Sequence, residues 1–533
     1  MTDQVLVTPF DEHNQTLVDN VHPLAWNNPE PAPLYHLVVI GAGTAGLVAA
    51  AGAAGLGARV ALVERHLMGG DCLNFGCVPS KALLRAARAW REVAGAAEFG
   101  LRATIEQADF GAAMRRVRAK RATISPNDSA ARFRELGVDV FLGAARFAGP
   151  DSVEVDDARL RFHRALVATG TRPAVPEVEG LAEAGYLTNE SLFSLQALPS
   201  RLLVVGGGPV GCEMAQAFAR FGAQVTLLVR GAQLLPREEP EAARVVQEAL
   251  EADGVRIVVG AELRRVERGA RLKAAFFQVE EETHRLAVEE ILIAVGRRPN
   301  VEGLDLEAAG IRRGERGIEV DDHLRTSHPA VWAAGDVCSR YRFTHAADAM
   351  ARIALRNALF RGRQRASELV IPWCTYTDPE VAHVGSNDEE LRRRGTPFET
   401  ITVPLEENDR AIVEGGTRGF LRLHHRRGKG EILGATLVSE HAGETIGELV
   451  AAIQHGIGLG ELAATLHPYP TQAEVVKRAA DAWNRKRLTP FRRKLFGLWF
   501  RRLEKKALRR LATAAAPAPG GADTPPPAPD SNG

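Results

Sequence analysis

Apolar positions along this chain fall first into short unbroken runs. LVVI (Leu37–Ile40), VALV (Val60–Val63), LLVV (Leu202–Val205) and VTLLV (Val225–Val229) each read as a strand buried on both faces. Between the members of each pair lies a helix-length stretch rich in Ala and Gly, so the pattern is strand, helix, strand, twice over. ALVATGTRP (Ala165 to Pro173), ILIAVGRRPN (Ile291 to Asn300) and TSHPAVWAAGDV (Thr326 to Val337) each read as a further strand ending in a Gly turn. THAADAMARIALRNALF, from Thr344, reads as a helix. From about Ala366 the pattern changes: IPWCTYTDPEVAHVG, GFLRLHH and EILGATLVS read as strands and HAGETIGELVAAIQHG as a helix. The expectation is an α/β chain with two dinucleotide-binding units of the Rossmann type, followed by an α+β domain.

The turns between the paired strands carry the first chemistry. Gly41, Gly43 and Gly46 follow the first strand: Gly41 permits the tight turn, Gly43 lets backbone approach a pyrophosphate, and Gly46 lets helix pack on strand. The phosphates would sit at the helix N-terminus, and Glu64, at the end of the second strand, can accept from a ribose. Gly206, Gly208 and Gly211 repeat the motif, and Gly41 to Gly57 has the spacing of Gly206 to Gly222. Seven residues past Gly57 stands Glu64, but seven past Gly222 stands Val229, followed by Arg230. A carboxylate there would repel a 2′-phosphate, whereas arginine pairs with it. Site one is therefore expected to hold FAD and site two NADPH, with Arg230 as a solvated strand-end charge and NADH as the alternatives.

Around these units the chain is organised on Gly69 to Lys81, GGDCLNFGCVPSK, with Cys72 and Cys77 behind paired glycines. Residues five apart in an ideal helix lie about 7.5 Å apart along its axis, whereas a disulfide needs roughly 4.4–6.8 Å between Cα atoms. The chain must bend, and Gly76 supplies the freedom, with Pro79 suiting the start of a helix expected over Ser80 to Trp90. The cysteines then meet at a helix start, where thiol pKa falls. An inert structural disulfide is the competing reading. Asp336, after Gly335, suits a polyol or ribose, and the N-terminus of the Thr344 helix suits a reduced, anionic flavin ring, with His345 either scaffold or contact.

Bulk composition narrows the class. The 533 residues exceed one domain, and a net charge of +1 gives no whole-chain case for nucleic acid. Five cysteines, few and odd in number, argue against a secreted disulfide framework. Residues 1–33 lack the layout of a signal peptide, and the expectation is a cytoplasmic protein. Composition shifts again at the C-terminus, where Arg485 to Arg510 carries twelve Lys/Arg against one acid, Glu504, with Leu488, Phe491, Leu495, Leu498 and Trp499 near helical spacing. That is a basic amphipathic helix, suited to an anionic membrane surface at the inner face or to an acidic partner, or else packed on its own body. Residues 513–533, rich in Ala, Pro and Gly, are expected to be disordered.

With these residues in view, the chain resembles the FAD-dependent pyridine nucleotide-disulfide oxidoreductases from about Leu34 to Trp483, and is most similar to the mercuric reductase-like members. The resemblance implies a homodimer divided as 1–33, an N-terminal extension; 34–186, FAD-binding; 187–298, NAD(P)H-binding; 299–363, a central domain completing the FAD site; 364–484, dimerisation; and 485–533, basic helix and tail. It makes Cys72 the interchange thiol and Cys77 the charge-transfer thiol, Lys81 a flavin-side lysine with Glu213 its ion-pair partner, and Asp336 the FAD-binding aspartate. Gly70, Gly170 and Gly296 fall at cofactor-binding turns. Electrons would run from NADPH to FAD, to Cys72–Cys77, and on to a small-molecule acceptor.

One position departs from the disulfide-reducing members, which end in His-Pro-Thr-x-x-Glu. Aligned on Thr471 and Glu474, this chain has Tyr469 where the imidazole would be, and a phenol is a poor base at neutral pH. His467 could replace it only if the loop rearranged. Tyr469 is what mercuric reductases show, yet no cysteine follows Cys374, so the expectation is a chain without their C-terminal thiol pair and without their N-terminal metal-binding domain. Only Cys72 and Cys77 are placed to offer thiolates, and Cys374 reads as packing; no resident metal site is assigned. The acceptor is left open among a disulfide, a metal ion and a quinone-like compound. The alternatives are a membrane-surface electron donor and a redox-sensing flavin protein.

Overall fold

The computed structural model describes residues 7–104 and 108–514. Its first sheet runs, in strand order, Val138–Leu142, Val60–Glu64, Tyr35–Ile40 and Ala158–Val167, the first four parallel and extended by an antiparallel meander. Val331–Ala333 then joins the same sheet parallel to Ala158–Val167, so the segment ending in Asp336 closes the sheet that Gly41 opens. Helix Thr44–Gly55 lies between this sheet and helix Thr344–Phe360. Its Ala/Gly composition follows from that position: a Cβ on Gly52 would stand 2.9 Å from Leu355.

The second sheet, Arg256–Val259, Gln224–Val229, Arg201–Val205 and Glu290–Ile293, is all parallel. Thr171–Pro173 pairs antiparallel with Arg297–Pro299, forming a two-stranded link where the chain leaves the first sheet and rejoins it. The Gly turns at Gly170 and Gly296 precede these two link strands. A third, five-stranded antiparallel sheet forms the C-terminal domain, flanked by Ala442–His455 and Glu474–Lys486. The expected strands there are present, together with Phe398–Pro404, whose FETITVP pattern alternates too weakly to stand out.

Several elements differ from the sequence reading. Residues 12–21 form a helix capped by Asp11, with Leu17, Val18 and Val21 fully buried, each contributing about 1.5–3 kcal/mol. It is tied down by Arg121, which donates to Asn14 and to Asn74 O beside the dithiol. Only four apolar or semipolar positions face inward, too few for its amphipathicity to show in a polar segment. The dithiol helix spans Cys77–Ala94, three residues earlier than expected, because Pro79 fits within a first turn whose N–H groups need no partner. The basic segment forms helix Pro490–Ala514, so Thr513 and Ala514 are helical; the rest of the expected disordered tail lies outside the described residues. No helix among the described residues is long and apolar enough to cross a membrane.

Candidate functional site

Helix Gly70–Asn74 carries Cys72, the chain breaks at Phe75–Gly76, and Cys77 opens the next helix. Gly76 sits at φ −126°, ψ −113°, outside the helical region, and a Cβ there would meet Asp71 O at 2.9 Å. The bend brings the two thiols close enough to act on each other's protonation. Their protonation is asymmetric. The neighbouring Cys72 thiol is the largest influence lowering Cys77, with Thr344 and the Lys81 charge adding to it against burial, and Cys77 is brought down to about 6. Cys77 and burial push the Cys72 thiol up. Cys77 Sγ lies 3.5 Å from Thr344 Oγ1, at the first residue of the Thr344 helix.

Lys81, one turn on from Cys77, pairs with the buried Glu213 at 2.8 Å. Glu213 is itself held by the Tyr376 N–H at 2.9 Å, and the Lys81 ammonium stands 4.5 Å above the Tyr376 ring. The pair thus links the dithiol helix, the second fingerprint helix Pro209–Arg220 and the C-terminal domain.

These groups face one cavity of about 730 Å³, lined also by Gly41, Gly43, Glu64 and Asp336. Its glycines are there for backbone contact. A Cβ on Gly41 would stand 2.5 Å from Ala168 O, and one on Gly46 1.8 Å from Gly41 O. Gly70, at φ +59°, packs its Cα face against Gly43, where a Cβ would come within 2.7 Å, so the paired glycines dock the dithiol segment on the phosphate loop. Helix Thr44–Gly55 has no side-chain N-cap, which leaves its first N–H groups for an anion. Glu64 accepts from the Ala42 and His66 N–H groups at 2.7 and 2.8 Å while lining the cavity; burial raises its pKa against those bonds. Asp336 accepts from Thr171 at 3.0 Å, and burial raises its pKa. An uncapped helix start, a cradle that a Cβ would fill, and carboxylates for hydroxyls fit a dinucleotide such as FAD.

The second copy repeats the geometry at a different sheet. A Cβ on Gly206 would stand 2.4 Å from Ala294 O and one on Gly211 1.8 Å from Gly206 O, while Gly208 has open space. Helix Pro209–Arg220 also lacks a side-chain cap, and Pro209 and Val210 line the flavin-size cavity, so the two binding surfaces are contiguous. Val229 is buried and Arg230 exposed at its strand end.

Other residues singled out in the sequence lie differently from expectation. Gly170 lines the cavity, whereas Gly296 is at the link strands, its carbonyl accepting from Ala174 N. His345 borders the cavity, but its ring stacks on Phe343 and its Nε2 lies 2.7 Å from Pro372 O, an arrangement that joins domains. Cys374 borders the cavity as well as packing under the C-terminal sheet, with burial raising its pKa. Tyr469 and Glu474 are outside this cavity. The Tyr469 hydroxyl donates to Asp409 at 2.9 Å, and Asp409 also accepts from Arg478, which approaches Glu474 at 3.8 Å. The Asp409 carboxylate raises the phenol's pKa. His467 is held by Glu448 at 3.0 Å. Two residues escaped the sequence reading: Asp71 and Arg297, paired at 2.9 Å, with Arg297 also donating to Thr171. Both lie inside motifs already singled out, but opposite charges far apart in sequence carry no sign that they meet.

Residues 35–351 match the pyridine nucleotide-disulphide oxidoreductase family, and residues 371–480 match its dimerisation domain. Mercuric reductase of Streptomyces lividans is 38% identical over 463 residues, covering 84% of this chain and 96% of that protein. Dihydrolipoyl dehydrogenase of Thermus scotoductus is 36% identical over 456 residues, covering 84% and 97%. Among solved structures, the HOCl-induced flavoprotein disulfide reductase RclA of Escherichia coli aligns with a TM-score of 0.76 at 28% identity, covering 84% of this chain and 99% of that one. LpdA of Mycobacterium tuberculosis aligns with a TM-score of 0.77 at 28% identity, covering the same shares. The chain belongs to the FAD- and NAD(P)H-dependent pyridine nucleotide-disulphide oxidoreductases, and carries that family's dimerisation domain.

Proposed function

We propose that this protein is an NADPH-dependent reductase of a thiophilic metal ion, working through Cys72 and Cys77. The observation that carries the reading is a dithiol kept with one thiolate poised near neutral pH, while Tyr469, tied to Asp409, is held further still from acting as a base. Bound in the cavity, FAD supplies the two-electron relay between the coenzyme hydride and the Cys72–Cys77 disulfide. Cys77 contributes a preformed thiolate, and Cys72 becomes its equal as a ligand once a soft cation displaces its proton. Lys81, fixed by Glu213, holds positive charge beside that thiolate. In the homodimer, the Tyr469 segment would reach the partner subunit's dithiol and offer a phenol oxygen with no imidazole. Similar proteins support a metal substrate: mercuric reductases are among the relatives, and RclA has been solved as a Cu(II) complex.

A second reading is a small-disulfide reductase. His467, two residues before Tyr469, already forms an imidazole–carboxylate pair with Glu448 of helix Ala442–His455, and such a pair could protonate a leaving thiol. There Cys72 would attack one sulfur, releasing a thiol, and Cys77 would displace the second thiol to regenerate the disulfide. Following NADPH oxidation with Hg(II), glutathione disulfide, lipoamide and quinones separates the two. The metal reading expects Hg(II) turnover to exceed every disulfide; faster lipoamide turnover overturns it. Tyr469→His should raise disulfide turnover by about ten- to a hundredfold, on the size of general-acid contributions. No gain would show that the missing base is not what limits that chemistry.

The coenzyme assignment rests on Arg230 at the exposed strand end beside buried Val229. Arg230→Glu should lower kcat/KM for NADPH by about tenfold or more, with NADH little changed, since it exchanges a phosphate-pairing group for a repelling one. A clear NADH preference in the unmodified enzyme would reject the assignment.

A further inference from the structure

The helix Pro490–Ala514 touches no core: none of its residues is buried, and Trp499 and Phe491 are 57% and 69% exposed. It carries nine Lys/Arg and one acid, Glu504. Its first half is apolar on one side. Phe491, Leu495, Phe496, Leu498, Trp499 and Leu503 cover roughly 160° of the circumference at 3.6 residues per turn, with Arg493, Lys494 and Arg501 on the other side. Its second half is a basic run, Lys505, Lys506, Arg509 and Arg510.

We infer that this helix lies in the plane of an anionic phospholipid surface and docks the reductase there. Charge complementarity and the shape of the apolar arc favour that occupant. A second copy of the helix, or a groove in a protein, would take a narrower seam and would bury Arg492 and Arg502, which interrupt the arc. At a bilayer interface those two residues extend their guanidinium groups to phosphates while their stems stay among the acyl chains. A nucleic acid would neutralise the charges but leave the aromatic rings in water. Trp499, Phe491, Phe496 and Phe500 suit the interfacial depth, where apolar area and basic charge add. Because the chain carries a dimerisation domain, each assembly presents two such helices, and the second binds at high effective concentration.

The test is co-flotation of the full-length holoenzyme with vesicles of phosphatidylcholine alone, or with about one third phosphatidylglycerol. The expected partition into anionic vesicles exceeds that into neutral ones by about tenfold or more and falls with added salt. The double variant Phe496→Gln, Trp499→Gln keeps every charge; it should lose about tenfold of that partition with NADPH oxidation unchanged. Unchanged NADPH oxidation also shows that the variant is folded. Absence of flotation by the unmodified protein overturns the inference, and so does equal flotation of the double variant, which would mean adsorption by charge alone. Tighter binding to polyglutamate or RNA than to anionic vesicles overturns it in favour of an acidic polymer. Higher-order association by light scattering without vesicles, abolished in the double variant, overturns it in favour of a second copy.

Discussion

Cys77→Ser is expected to lower turnover by about three orders of magnitude or more, because the residue that carries the preformed thiolate is gone. The same variant loses the long-wavelength absorption that a thiolate against oxidised flavin produces, whereas Cys72→Ser keeps it. A band that persisted in Cys77→Ser would reverse the two roles. The pH dependence follows from the closeness of the two thiols. Cys77 is depressed to about 6, so in the reduced enzyme its thiolate is present above that pH and disappears as pH falls through it. Alkylation of Cys77 should follow the same curve. Its largest support is the Cys72 donor, so Cys72→Ala should move the midpoint upward, and Cys72→Ser, which restores a donor, should move it less. An unchanged midpoint in Cys72→Ala would show that Thr344 and the Lys81 charge, and not the neighbouring thiol, set the value.

Gly46→Ala is expected to yield protein without bound FAD and with a markedly lowered melting temperature. The added methyl would land 1.8 Å from Gly41 O, backbone against backbone, with no flexible side chain to give way, so the cost exceeds the ~1–3 kcal/mol of ordinary overpacking. The lost flavin removes its own stabilisation in addition. Gly43→Ala is the contrasting variant. Its Cβ meets nothing closer than Gly70 Cα at 3.8 Å, so the chain should fold but bind FAD more weakly, since the methyl occupies the space where a pyrophosphate approaches the backbone. Gly208→Ala, with open space around it, should keep FAD and raise KM for NADPH by about ten- to a hundredfold. Flavin absorbance, thermal denaturation and coenzyme kinetics read the three effects separately. Loss of FAD in Gly208→Ala would exchange the two site assignments.

The core of this architecture was legible because its signals are local. A buried parallel strand, a tight glycine turn and an uncapped helix occupy about thirty consecutive residues, and each residue type answers a constraint set by its immediate neighbours. The dithiol could be read for the same reason: the bend between Cys72 and Cys77 is a matter of Gly76 and Pro79 alone. The N-terminal helix was not legible. Its burial depends on the surface of helix Phe110–Ile124, a hundred residues away, and on Arg118 and Arg121, which donate to Asp11 and Asn14 at its polar end.

The sequence by itself determined the two dinucleotide units, the order in which they occur, the redox pair between them and the basic character of the last helix, since all of these follow from residue type at short spacing. The tertiary structure alone decided which distant side chains meet: Asp71 against Arg297 and Thr344 beside Cys77 at the cavity, and Tyr469 turned to Asp409 outside it. It also placed Thr344, from a distant helix start, against Cys77, where it adds to the local influence of Cys72 and Lys81 in lowering that thiol's pKa. Such pairings join segments separated by scores to hundreds of residues, and the forces that select them, charge burial and the satisfaction of polar groups out of water, act only once the domains have packed.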